Sequence, residues 1–109
     1  MVNHSPGVLV VAILTVRRAR TDEFHRFESA ASKIMARHGG AIERTVVRDA
    51  SPADAPETFR ELHLVRFPDE AAFRAYRVDP ELAALAALRE AAIVATELWT
   101  GTDGPTYGR

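Results

Sequence analysis

His63 and Glu61 stand two residues apart in the stretch Phe59-Arg60-Glu61-Leu62-His63-Leu64-Val65-Arg66-Phe67. Imidazole changes charge near neutral pH, and a neighbouring carboxylate orients the ring and selects its tautomer. In an apolar surround, such a pair can take a proton from an organic substrate or return one, as general base or acid. If the stretch is a β-strand, alternate side chains leave on opposite faces. Phe59, Glu61, His63, Val65 and Phe67 then share one face, and Leu62 and Leu64 take the other. Two aromatics, a valine, a carboxylate and an imidazole together suit a pocket wall.

Three further residues join this group by strand parity. Glu43 and Glu97 lie on flanking strands, Glu43 next to His63 and Glu97 two strands away, about 10 Å off at ~4.8 Å per strand. Trp99 is expected on the same pocket-facing side, where its ring can stack on a substrate. Tyr76, on a helix, can offer its hydroxyl to a ligand from the rim. The expected catalytic set is therefore His63, Glu61 and Glu97, with Trp99, Phe59, Phe67, Val65, Glu43 and Tyr76 binding the substrate. The plainer alternative makes His63 a satisfied interior histidine, with Glu61 and Glu43 pairing arginines. His63, Glu61, Glu43 and Glu97 also offer nitrogen and oxygen ligands suited to iron, manganese or zinc. Only one histidine lies on a strand, however, and no HxH or ExxH spacing occurs, so no metal site is assigned. His38, at a helix end, suits the negative end of the helix dipole.

The elements that must position these residues follow from periodicity. Val8 to Val16 is almost continuously apolar and rich in β-branched residues, as a central strand covered on both faces would be. Thr21 or Asp22 is expected to cap a helix with Phe24, Phe27, Ala31, Ile34, Met35 and His38 on its buried stripe. Gly39-Gly40 ends it. Ala41 to Asp49 reads as a strand with Ile42 and Val46 on one face and Glu43, Thr45 and Val47 on the other. Ala50 to Glu57 is a polar, proline-containing loop. Past the His63 strand, Asp69 caps a helix that buries Ala72, Phe73 and Tyr76. Asp79-Pro80-Glu81 breaks it and restarts a helical run through Leu82, Leu85, Ala86 and Arg89. Val94 to Thr100 is the last strand, and 101–109 a loose tail.

That order, β-α-β-β-α-β, is the ferredoxin-like arrangement: an α+β fold with a four-stranded antiparallel sheet in the order 4-1-3-2 and both helices on one face. The other face is expected to carry Thr45, Val47, Phe59, Val65, Phe67 and Trp99. So much apolar surface calls for a second copy, sheet against sheet, in a homodimer.

The 109 residues support one domain, with a core over about 8–100. A net charge of −1 without a basic block argues against nucleic acid as partner. The absence of cysteine excludes disulfides, thiolate metal sites and thiol nucleophiles. The longest apolar run, Val8 to Leu14, is far short of the ~20 residues that span a bilayer, and no signal-peptide pattern precedes it. No membrane association and a cytoplasmic location are therefore expected. No phosphate-cradling glycine loop or nucleophile elbow is present, so no cofactor is assigned.

Two stretches resemble a known family. Ala36-Arg37-His38-Gly39-Gly40 closes the first helix; Phe67-Pro68-Asp69-Glu70-Ala71-Ala72-Phe73-Arg74-Ala75-Tyr76 opens the second, followed by Asp79-Pro80-Glu81 and Leu88-Arg89. With the element order, they make the chain resemble the dimeric α+β barrel superfamily, and within it the small domains classed as DUF1330. The resemblance implies a homodimer with a small-molecule pocket between each sheet and its helices or the partner. Cofactor-free monooxygenases, cyclases, isomerases and haem enzymes occur among the relatives, as do proteins of no known activity.

Overall fold

The computed structural model describes residues 7–48 and 57–108. The polar lead-in, most of the loop expected between the second and third strands, and Arg109 lie outside the described residues. Four strands, β1 (Val8–Arg17), β2 (Ala41–Arg48), β3 (Thr58–Phe67) and β4 (Ile93–Gly101), form one antiparallel sheet in the order β2-β3-β1-β4. This is the expected ferredoxin-like α+β arrangement. Four helices, α1 (Thr21–Arg37), α2 (Glu70–Arg77), α3 (Pro80–Ala83) and α4 (Ala86–Ala92), complete it. Among the described residues no helix is long and apolar enough to cross a membrane.

Local chemistry explains the boundaries. Neither Thr21 nor Asp22 caps α1. A short 3-10 turn, Arg18–Arg20, leads into it, and the Thr21 hydroxyl instead donates to the Arg18 carbonyl at 2.7 Å. Asp22 and Glu23 still occupy the first turn, where carboxylates suit the helix dipole. Gly39 ends α1 at φ +77°, a left-handed conformation that disfavours a side chain. Asp69 accepts the Ala72 N–H at 2.8 Å to cap α2, and Asp79 accepts the Glu81 N–H at 2.8 Å to cap α3, with Pro80 in the first turn.

The sheet is oriented opposite to expectation. Val10, Leu14 and Val16 are paired with Val65, Glu61 and Phe59, and the apolar members of these pairs are buried among the helices. One core cluster joins Val16 and Phe59 to Phe24 and Phe27; the other joins Val10, Val65 and Phe67 to Met35 and Phe73. Phe59, Val65 and Phe67 thus lie on the helix-covered face, not the open one. The reason is aromatic packing: Phe59 meets Phe24 edge-on at 6.2 Å, and Phe67 meets Phe73 at 5.2 Å and Tyr76 at 5.5 Å.

Two irregularities shift strand parity. Glu43 is an extra residue in a β-bulge between Ile42 and Arg44. As a result Ile42 shares a side with Thr45 and Val47, paired with Val65, His63 and Glu61, while Val46 pairs with Leu62 on the open side. A second shift lies where β4 meets the end of β1, between the pairs Val16–Ile93 and Thr15–Ala95. Beyond it Leu98 pairs with Ala12 on the helix side, and Glu97 and Trp99 pair with Ile13 and Val11 on the open side. The open face is apolar as expected, but only Trp99 survives from the expected set. By register its apolar residues include Val11, Ile13, Leu62, Leu64, Val46 and Trp99, of which Val46 is 52% and Trp99 57% exposed.

Candidate functional site

Between the sheet and the helices lies a cavity of about 380 Å³, in the range of small-molecule sites. Val10, Leu14, Val65 and Phe67 from the sheet and Phe27, Met35 and Phe73 from α1 and α2 form apolar walls. Its polar groups are Glu28, His63, Tyr76, Arg77, Arg89 and Thr96.

His63 is the buried polar centre of this face, 5% exposed. Its Nε2 lies 2.6 Å from Glu61 Oε2, a hydrogen bond of charge-assisted length. Its Nδ1 lies 3.5 Å from Glu28 Oε1. Strand geometry explains the first contact, since residues two apart project the same way. The second arises because Glu28 follows Phe24 by four positions, one helical turn along the stripe that α1 turns to the sheet. Burial pushes the Glu28 carboxyl above its ordinary range; His63 draws it down, Glu61 raises it and Arg89 draws it down. Burial also pushes the Tyr76 phenol up to about 12, with Glu28 adding to the rise and Arg89 opposing it. Tyr76 is therefore a neutral hydrogen-bonding group at physiological pH. Arg89 donates to Thr96 Oγ1 at 3.1 Å, which ties α4 to β4 at the cavity wall.

The expected site residues divide. His63, Glu61, Val65, Phe67 and Tyr76 come together as anticipated: the first two are hydrogen-bonded, and all but Glu61 line the cavity. Phe59 belongs to the core against Phe24, with the Arg18 guanidinium 5.6 Å from its ring, and does not line the cavity. Glu97 and Trp99 are on the opposite face of the sheet, where the indole N–H donates to Glu97 at 2.9 Å. Glu43 is turned to Arg66 at 2.9 Å, which also holds Asp103 at 3.2 Å. Of the four residues weighed as metal ligands only His63 and Glu61 meet, and among the described residues no group of three or more His, Asp or Glu is placed to hold a metal ion. His38 bonds Asp79 at 2.7 Å and so links the end of α1 to the start of α3. That contact draws Asp79 below the usual carboxylate range.

Glu28, Arg77, Arg89 and Thr96 were not anticipated at the site. For Glu28 the signal was its place on the buried stripe of α1; for Arg89, its place on the stripe with Leu82 and Leu85.

Solved structures share the fold. SnoaB from Streptomyces nogalater, a cofactor-independent oxygenase, superimposes with a TM-score of 0.65 at 21% identity, covering 96% of this chain and all of that one. A protein of unknown function from Rhodopseudomonas palustris gives a TM-score of 0.74 at 14% identity, covering 93% of this chain and 85% of the other. A candidate antibiotic biosynthesis monooxygenase from Nitrosomonas europaea gives 0.67 at 10% identity, covering 94% and 95%. At these identities the likeness is one of fold. A comparison with curated proteins found no match. A family model does match, and over most of the chain, residues 9–99: the protein belongs to DUF1330, a domain family of unknown function.

Proposed function

We propose that the protein binds a small, mostly apolar organic molecule in the cavity beneath α1 and α2 and carries out cofactor-independent proton-transfer chemistry on it. A cyclase, isomerase or monooxygenase-like step begins with such a transfer. The observation that carries this reading is the buried His63–Glu61 hydrogen bond at the wall of an apolar cavity. A histidine there is a general acid or base with a carboxylate to orient it. The shared fold with a cofactor-independent oxygenase supports the reading without deciding it. A second reading, a non-catalytic ligand-binding protein, is favoured by one feature: both imidazole nitrogens face carboxylates of this chain.

The two separate on one variant. His63→Gln keeps most of the volume and some hydrogen bonding but cannot cycle a proton. Screened on a panel of enolisable and phenolic substrates, it loses turnover by about 10²–10⁴-fold with affinity retained if the protein is an enzyme. If affinity falls with no turnover to lose, the binding reading stands.

The functional unit in this proposal is a homodimer joined through the open face. Exposed Trp99 and Val46 with Ile13 and Leu62 form the apolar patch that a second copy would cover. Trp99→Glu is then expected to convert a dimer to a monomer in sedimentation equilibrium; an unchanged mass would place the interface elsewhere.

A further inference from the structure

Glu61, His63 and Glu28 form a file rather than a cluster. His63 stands in the middle, with Nε2 at 2.6 Å from one carboxylate and Nδ1 at 3.5 Å from the other. Among the side chains, both carboxylates are more exposed than the imidazole between them, Glu28 at 20% and Glu61 at 12% against 6% for His63, but only Glu28 lines the cavity. A ligand entering the cavity finds both nitrogens of His63 already facing oxygens of this chain. It finds Glu28 open to it, with the Arg89 guanidinium on the same cavity wall.

We propose that Glu28 is the group that exchanges a proton with the ligand, that His63 is a relay behind it, and that the ligand is a neutral carbon or oxygen acid, an enol or phenol, whose anion faces Arg89. The proposal rests on the cavity being a small-molecule site, and it goes further by assigning the acceptor and the ligand's acidity. In the step, the ligand O–H or enolisable C–H bond breaks, the proton moves to Glu28 Oε1, and the electron pair stays on the ligand as phenolate or enolate. The Glu28 proton then passes to His63 Nδ1, whose lone pair is free when Nε2–H donates to Glu61. The result is an imidazolium between two carboxylates, and the reverse sequence returns the proton. No oxidant or second reactant is consumed.

The groups around Glu28 are consistent with this role. From β3 it faces His63 and Glu61, from α4 Arg89, and from α2 Tyr76, with Arg77 on the same cavity. Burial raises its proton affinity above that of an ordinary carboxylate, which favours capture of the ligand's proton. Arg89, held by Thr96, supplies a fixed positive charge for the anion and needs no rearrangement to do so.

Two measurements test the proposal. In the first, 4-nitrophenol is titrated into the full-length protein at a pH where the free probe is mostly protonated, and its phenolate band is followed. Wild type is expected to bind the probe and increase its ionised fraction. Glu28→Gln should lose that increase at least tenfold while affinity changes by less than about threefold, and Arg89→Gln should reduce it in part. Failure of wild type to bind or ionise the probe overturns the assignment of ligand class. Ionisation that survives Glu28→Gln but vanishes in His63→Gln overturns the assignment of Glu28 and makes His63 the acceptor.

The second measurement needs no ligand and stands whether or not any turnover is ever found. The protonated-carboxyl infrared band lost in Glu28→Gln is expected to titrate above the ordinary carboxylate range. It should move higher in His63→Gln and lower in Glu61→Gln. Nitrogen NMR should find the proton of neutral His63 on Nε2. A band unmoved by both substitutions, or a proton on Nδ1, overturns the relay.

Discussion

The two faces of β3 are written in the same alternating pattern and have opposite fates. Glu61, His63 and Val65 turn to the helices and the cavity, together with the core residues Phe59 and Phe67. Leu62 and Leu64, one position out of step, turn to a face that no helix covers. The covered face carries a carboxylate and an imidazole amid hydrocarbon, each satisfied by the other. The open face is the more purely apolar at its centre, and its polar links, among them the Trp99–Glu97 and Arg66–Glu43 hydrogen bonds, are exposed. A buried ionisable pair is costly unless every polar atom is partnered. Among the described residues no buried side-chain nitrogen or oxygen lacks a partner. The proposed chemistry is thus confined to the face where partners and exclusion of water come together, and the open face is the one a second copy would cover.

The largest expected contrast between the faces is in stability. Phe67 is 1% exposed and touches two aromatic rings, so Phe67→Ala should cost about 3–5 kcal/mol by urea denaturation. Trp99→Ala should change the stability of an isolated chain by less than about 1 kcal/mol, because more than half of the residue is already exposed. Equal losses would mean that the open face is not open in solution. At the end of the covered face, a Cβ on Gly40 would stand 2.5 Å from Phe67 Cε1 and 2.7 Å from Met35 Cγ. Gly40→Ala is therefore expected to cost about 1–3 kcal/mol through overpacking, and a neutral result would show that the cavity yields to relieve it.

A smaller effect has the opposite sign. Glu28 has a folded-state proton affinity raised above its ordinary 4.5, so the folded chain holds this proton over a pH window in which the unfolded chain has released it. Stability consequently falls as pH rises from 4.5 through the folded value, and stays lower above it. Glu28→Gln should lack that fall and be the more stable protein at neutral pH, with the difference shrinking in acid. Thermal melts across pH decide this. A variant no more stable at neutral pH than at pH 4 relative to wild type would show that Glu28 pays no burial penalty.

The architecture was legible because its signals are local. Asp69 and Asp79 cap where their positions before helical runs indicate, Gly39 turns the chain, and strand order follows from element order. The assignment of faces was not legible, for a physical reason. Alternation separates the two sides of a strand but carries no label for which side the helices cover. Aromatic complementarity with Phe24 and Phe73 decides it, and that is a property of the packed molecule. Extra residues compound the problem: Glu43 reverses parity within β2, and the shift at the start of β4 fixes where Glu97 and Trp99 point. His63 and Glu61 were recoverable because they share a strand and need no third element. Glu28 needed the helix and the strand to meet, and a single carboxylate on an amphipathic helix resembles any other until they do.

Beside α1, the helical wall of the cavity is made of three short pieces, α2, α3 and α4, joined at Asp79 and near Leu85, and not of one rod. Phe73, Tyr76, Leu82 and Arg89 enter the cavity from all three pieces. The groups proposed to handle the proton sit instead on β3 and on the long α1, away from the joints at Asp79 and Leu85. Insertions or deletions at the two joints can therefore lengthen, tilt or withdraw the lining without disturbing the register that sets His63 between its carboxylates. On the proposed function, the molecule would separate what it does to a ligand from which ligand it admits, and leave the second free to drift.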